Sequence, residues 1–209
     1  MKKFVPVVLA IAMSMCGCAS NSASTSPDGT TGKVESTADD TVKSMPENMQ
    51  TMIEPADALN SCMIEQNMTY DPENPEFVWK AIFYFAGMYQ TDIDDAIVED
   101  STYSLSSGTI KELAKVLFNG MDTLPAIPDG IDVNVSYDEA SDRYTLGRGD
   151  RGLSYPEVVS YADNGDGTYT ITVNLVDSED KTIITSGTYT LVENPAPASE
   201  YAYMITSVK

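Results

Sequence analysis

The chain has 209 residues, with 32 Asp and Glu against 12 Lys and Arg, a formal charge of −20, and no histidine. A field of that sign keeps a protein soluble, repels nucleic acid and anionic lipid, and attracts cations or basic partners. Without histidine, Ser-His-Asp and Cys-His arrangements and His-rich metal sites cannot be built, so any chemistry falls to carboxylate, tyrosine, lysine or an oxygen-ligated hard cation.

The N-terminus places Lys2 and Lys3 before an apolar stretch from Phe4 to Met15, followed by the small residues of Gly17-Cys18-Ala19-Ser20. This is the layout of a secretory signal. Its apolar run of about 12 residues falls short of the roughly 20 that a membrane-spanning helix needs. Met15-Cys16-Gly17-Cys18 resembles the lipobox of bacterial lipoproteins, with Met15 where that class usually has Leu. Cutting before Cys16 would put bulky Met15 where a small side chain is needed. The resemblance therefore implies cleavage between Gly17 and Cys18, a diacylglyceryl thioether on Cys18, and residence on the outer face of the cell membrane. Two acyl chains hold a protein firmly where one is marginal, since each buried methylene contributes about 0.8 kcal/mol. The anchor makes the membrane one expected partner; the others are an extracytoplasmic protein, peptide or glycan.

Removing residues 1–17 takes two lysines and no carboxylate, which leaves the remainder more acidic still. Residues 18–45 carry the lipidated cysteine and a Ser/Thr/Asp/Gly-rich stretch that reads as a flexible tether. Residues 46–209 read as one domain. With Cys16 cleaved away and Cys18 acylated, Cys62 has no partner for an internal disulfide. Its helical spacing with Leu59, Met63 and Gln66 points to a small buried side chain.

Ala58, Leu59, Cys62 and Met63 after Pro55 predict a short amphipathic helix, followed by a break at Tyr70-Asp71-Pro72-Glu73-Asn74-Pro75. Residues 75–90 predict a second helix, with proline at a permitted start and apolar residues on nearly every side, so a central, buried element. Thr109 and Glu112 read as a capping box for a third helix with the stripe Ile110, Leu113, Ala114, Leu117 and Phe118, ended by Gly120.

Beyond Asp129-Gly130 the apolar period becomes two, and strands are expected at 131–137, 144–146, 157–161, 168–176, 182–192 and 201–208. In the segment 168–176, Tyr169, Ile171, Val173 and Leu175 alternate with Thr168, Thr170, Thr172 and Asn174, the pattern of an antiparallel sheet with one buried face. The expected fold class is α+β: about three N-terminal helices packed on a curled antiparallel sheet of five to six strands. In element order, residues 55–209 resemble NTF2-like and cystatin-like domains and small lipoprotein domains of Gram-positive anaerobes. The resemblance carries over no functional residue.

No motif calls for a cofactor, and calcium is the cation that the acidic residues would suit. Asp163-Asn164-Gly165-Asp166-Gly167 has the composition of a calcium loop, but with Gly167 in the sixth position the first and twelfth ligands would be Ala162 and Val173, so a hairpin turn is expected. Asp92, Asp94, Asp95, Glu99 and Asp100 form a second acidic group that a loop could wrap around a cation or leave solvated. Gly147-Arg148-Gly149-Asp150-Arg151-Gly152 contains Arg-Gly-Asp and concentrates positive charge, so Arg148, Asp150 and Arg151 are candidates for binding an anionic or adhesive ligand. The same segment also reads as a glycine-rich connection.

Tyrosines crowd the strand region, where strand propensity and sugar or peptide binding both account for them. The expected function is a non-catalytic binding or accessory module. The alternatives are an NTF2-like enzyme using a carboxylate and a tyrosine between the Pro75 helix and the sheet, and a calcium-dependent surface module. The enzyme requires a buried carboxylate facing a closed apolar pocket; the binding module requires a shallow groove or exposed apolar patch.

Overall fold

The computed structural model describes residues 45–90, 93–149, 152–197 and 200–209. All of these belong to one unit, Glu35–Lys209. The signal segment, Gly17, Cys18 and almost all of the tether lie outside the described residues. Met45, which composition assigns to the tether, is buried in the core with Met49 and Met52.

A single turn, α1 (Glu47–Gln50), leads into α2 (Ile53–Glu65). This helix begins two residues before Pro55, which is tolerated because first-turn N–H groups have no intrahelical acceptor. Helix α3 (Pro75–Tyr89) is capped by the Asn74 side chain, which accepts from the Glu76 N–H at 3.0 Å. Phe77, Val78, Trp79, Ala81, Ile82, Phe85 and Ala86 on it are all fully buried, so the central position expected from its composition is the one it holds.

The next elements are strands that the sequence reading passes over: β1 (Ile97–Val98) and β2 (Thr102–Ser106), directly followed by α4 (Ser107–Leu117). The cap of α4 lies three residues earlier than the expected box. Ser106 is the N-cap, its Oγ accepting from the Thr109 N–H at 3.2 Å, while Glu112 pairs with Lys115. The helix ends at Leu117, and Gly120, with φ of +85°, sits in the turn beyond.

Six further strands follow: β3 (Val135–Asp138), β4 (Arg143–Gly147), β5 (Ser154–Asp163), β6 (Thr168–Asp177), β7 (Ile183–Glu193) and β8 (Tyr203–Val208). The class is α+β as expected, but the described strands form two four-stranded antiparallel sheets in place of a single curled one. Their orders are β1-β2-β4-β3 and β5-β6-β7-β8. The difference arises at β2, which pairs with β4 from Thr102↔Gly147 to Ser106↔Arg143 and so draws the β3–β4 hairpin into a sheet of its own.

Helix α2 lies against β5, β6 and β7, while α3 contacts α2, α4 and β4, and α4 reaches β2, β4 and β8. Helix α3 is therefore enclosed by α2, α4 and the first sheet's β4, which explains why it is apolar on nearly every side. The inner face of the second sheet is set by register: Ile171 pairs with Tyr189 and Tyr161, Tyr169 with Leu191, and Leu191 with Ile205. Aromatic contacts join the layers, among them Phe85 with Tyr201 at 5.3 Å and Trp79 with Tyr144 at 5.0 Å between ring centroids.

Candidate functional site

Among the described residues, the acidic group after α3 does not converge on a common centre. Asp95 turns inward, where its carboxylate takes the Ser106 N–H at 2.8 Å, the Thr109 hydroxyl at 2.7 Å and Arg143 Nη1 at 3.2 Å. Burial works against its charge, but these bonds prevail and hold the Asp95 carboxyl below its ordinary range. Its role is to tie the start of α4 to β4. Asp94, Glu99 and Asp100 are exposed, and Asp92 lies outside the described residues. Among the described residues, no three His, Cys, Asp or Glu side chains are grouped as metal ligands.

In the β5–β6 connection, Asp163 accepts from the Gly165 N–H and Asp166 from both the N–H and hydroxyl of Thr168. Gly165 and Gly167 have φ of +76° and +85°, so the segment is a hairpin turn whose carboxylates serve its own backbone. Arg148 is exposed and its N–H is bonded to Ser101 O at 2.9 Å; Asp150 and Arg151 lie outside the described residues. Cys62 is fully buried, and burial pushes its thiol up to about 12, the state of an inert core cysteine.

A polar seam crosses the core instead. Tyr89 on α3 donates to fully buried Asp57 on α2. Tyr201 donates to Glu54 at 2.6 Å and accepts from Gln90 at 2.8 Å. Tyr189 on β7 donates within reach of both Ala56 O at 2.8 Å and Asn60 Oδ1 at 2.7 Å, and Asn60 Nδ2 donates to Val173 O at 2.9 Å. These bonds stitch α2 to α3 and to the second sheet through groups that would be costly to bury unpaired. The sequence hides them because Asp57, Asn60 and Ser61 read as the wet side of an amphipathic helix.

Among the described residues, three concavities bordering α2 stand out. The largest, about 410 Å³, opens between the C-terminal half of α2, the 67–70 connection and β7–β8, and is lined by Asn60, Met63, Ile64, Met68, Gly187 and Val208 among others. A second, about 370 Å³, shares Ile64 and Glu65 with Leu153, Leu175, Asp177 and Ile184. A third, about 150 Å³, lies between α2 and α3, lined by Ser61, Glu65, Phe83, Tyr84, Gly87, Met88 and Gly149. Asp57 lines none of the three.

The first two meet at Ile64, so an open apolar strip runs from Met68 and Met63 through Ile64 to Leu153 and Ile184. Ile64, Leu153 and Ile184 are 47%, 67% and 42% exposed. Neighbouring apolar side chains left in water mark an interaction surface more often than chance exposure does.

Comparison with family models, curated proteins and solved structures finds no match. No helix among the described residues is long and apolar enough to cross a membrane. Sequence reasoning misses the strip because Ile64 follows the periodic part of its helix, while Leu153 and Ile184 sit at strand ends where alternation is weak. Only the packing of α2 across β5–β7 brings them together.

Proposed function

We propose that this chain is a lipid-anchored extracytoplasmic module that docks a protein or peptide segment without catalysing a reaction. The anchor follows from the signal layout and Cys18, and the docking surface from the Met68–Ile64–Ile184 strip. Aliphatic and methionine side chains suit a partner's aliphatic residues, with the thioethers adapting to shape. A sugar ring would call for flat exposed aromatics. Glu65 and Asp177 border the strip. On a chain of net charge −20 they favour a partner with basic residues beside its apolar ones.

The single observation that carries this reading is the joining of two open concavities by exposed Ile64, the shallow groove required of a binding module. The enzyme reading draws support from the buried Asp57–Tyr89 pair, but the pair lies outside the lining of all three concavities, where a substrate would have no access to it.

The test places a photo-reactive phenylalanine analogue at position 184 in the producing cell, with a control at Thr190 on the opposite face of β7. A discrete adduct at 184, absent at 190 and lost on Ile64→Asp, supports docking. Equal labelling at both positions overturns it. For the anchor, intact-mass analysis of the membrane fraction should show loss of residues 1–17 and added acyl mass, both abolished by Cys18→Ala.

A further inference from the structure

The small pocket between α2 and α3 has a chemistry of its own. Glu65 is the last residue of α2, and neither α2 nor α3 has a basic side chain in its final turn. A carboxylate at a helix C-terminus adds to the partial negative charge of the terminal carbonyls, an arrangement that a cation relieves. The carboxylate is also fixed in place: Tyr84 Oη donates to Glu65 Oε2 at 2.6 Å and is itself held by Gln66 Nε2 at 3.1 Å. Oε1 has no hydrogen bond among the described residues. Ser61, one turn earlier on α2 and only 3% exposed, adds a hydroxyl to the lining. The Phe83 and Tyr84 rings supply surfaces for an alkyl stem or a cation.

A further observation concerns the floor of the pocket. The nearest atoms to the position a Cβ on Gly87 would take are Tyr103 Oη at 3.7 Å, buried outside the pocket lining, and Gly149 N at 3.9 Å. Alanine would thus fit at position 87 by ordinary contact, and mid-helix alanine is more stable than glycine. The glycine is therefore not explained by crowding. Gly87 lines the pocket, and a methyl group there would narrow it.

We infer that this pocket binds a primary ammonium group on a short alkyl stem, seated between Glu65, Ser61 and the Gly87 floor. A pocket of about 150 Å³ admits the end of a lysine side chain or a small alkylamine. The inference does not depend on the docking strip, since a free amine can fill the site unaided.

The test titrates the full chain with n-butylamine at neutral pH, following the amide resonances of Gly87 and Gly149, with n-butanol as the uncharged control. The expected result is saturable binding by the amine and none by the alcohol. Glu65→Gln should weaken it about fivefold, the upper range for a solvent-exposed ion pair. Gly87→Ala should weaken it about tenfold, while raising Tm by roughly 2–4 °C. That opposition separates a binding role from a structural one. Equal shifts with butanol, or amine binding unchanged in both variants, would overturn the inference. A peptide with one lysine between aliphatic residues, compared with its acetyl-lysine copy, identifies the source. Tighter binding of the free-lysine peptide than of butylamine assigns the site to a partner's lysine; weaker binding assigns it to a small amine.

Discussion

Gly187 on β7 offers the sharpest check on the core. Its backbone conformation is ordinary, but a Cβ there would lie 2.6 Å from Asn60 Oδ1, 2.6 Å from Tyr189 Oη and 2.7 Å from Tyr189 Cε2. Carbon contacts settle near 3.5 Å, so Gly187→Ala must push α2 and the tyrosine ring away from the sheet together. Overpacking of this kind costs about 1–3 kcal/mol. Opening the Tyr189–Asn60 bond in a buried setting adds about 1–3 kcal/mol. The expected loss is therefore about 2–6 kcal/mol, and for a chain of this size a Tm lower by roughly 4–24 °C. Trp79, the only tryptophan in the sequence, is fully buried on α3 and reports unfolding by fluorescence in urea. A Gly187→Ala protein within about 0.5 kcal/mol of the parent, the range of an inconsequential surface change, would show that α2 does not press on β7 as described.

Acid should loosen the first sheet through Asp95. Its folded pKa is depressed, so its stabilisation is complete above the unfolded carboxyl value near 3.9 and is lost as pH falls through the lower folded value. Asp95→Asn should lower stability at neutral pH and flatten its decline below about pH 4, measured by urea titrations across pH. Lys80 has the opposite sign. Burial lowers its pKa, but bonds to Asp132 at 2.8 Å and Glu76 at 2.9 Å outweigh this and raise it. Its contribution is present below the unfolded lysine value near 10.4 and lost as pH rises through the higher folded one, so Lys80→Met should lessen the alkaline loss of stability, the remainder belonging to tyrosines such as Tyr189 whose pKa burial raises. Cys62 should stay unreactive toward a thiol reagent in native protein, and the count of reactive thiols should rise by one in denaturant. Ile184→Asp should change Tm by no more than about 2 °C, because the side chain already faces water, while abolishing the photo-adduct at a second probe on position 153.

Much of the architecture was legible in the sequence because period and punctuation are local signals. The apolar belt of residues 77–86 announced a buried helix, Pro75 its start, and the alternation through Ile171 and Val173 a strand with one inward face. Cys62 and the Asp163–Gly167 turn were readable for the same reason: spacing placed the one on the buried face of its helix and denied the other a calcium geometry.

The tertiary structure decided the matters that depend on distant partners. Tyr103 and Leu105 look like a Ser/Thr-rich approach to a helix until pairing with Leu146 and Tyr144 makes them a strand and divides the sheet in two. Asp95 belonged to an acidic run until Arg143, far along the chain, turned it inward. Ser61, Glu65 and Gly87 carry no shared motif, and Ile64, Leu153 and Ile184 no common period. A composite surface is set by the packing of α2 against α3 and the second sheet, which no local pattern of residues can encode.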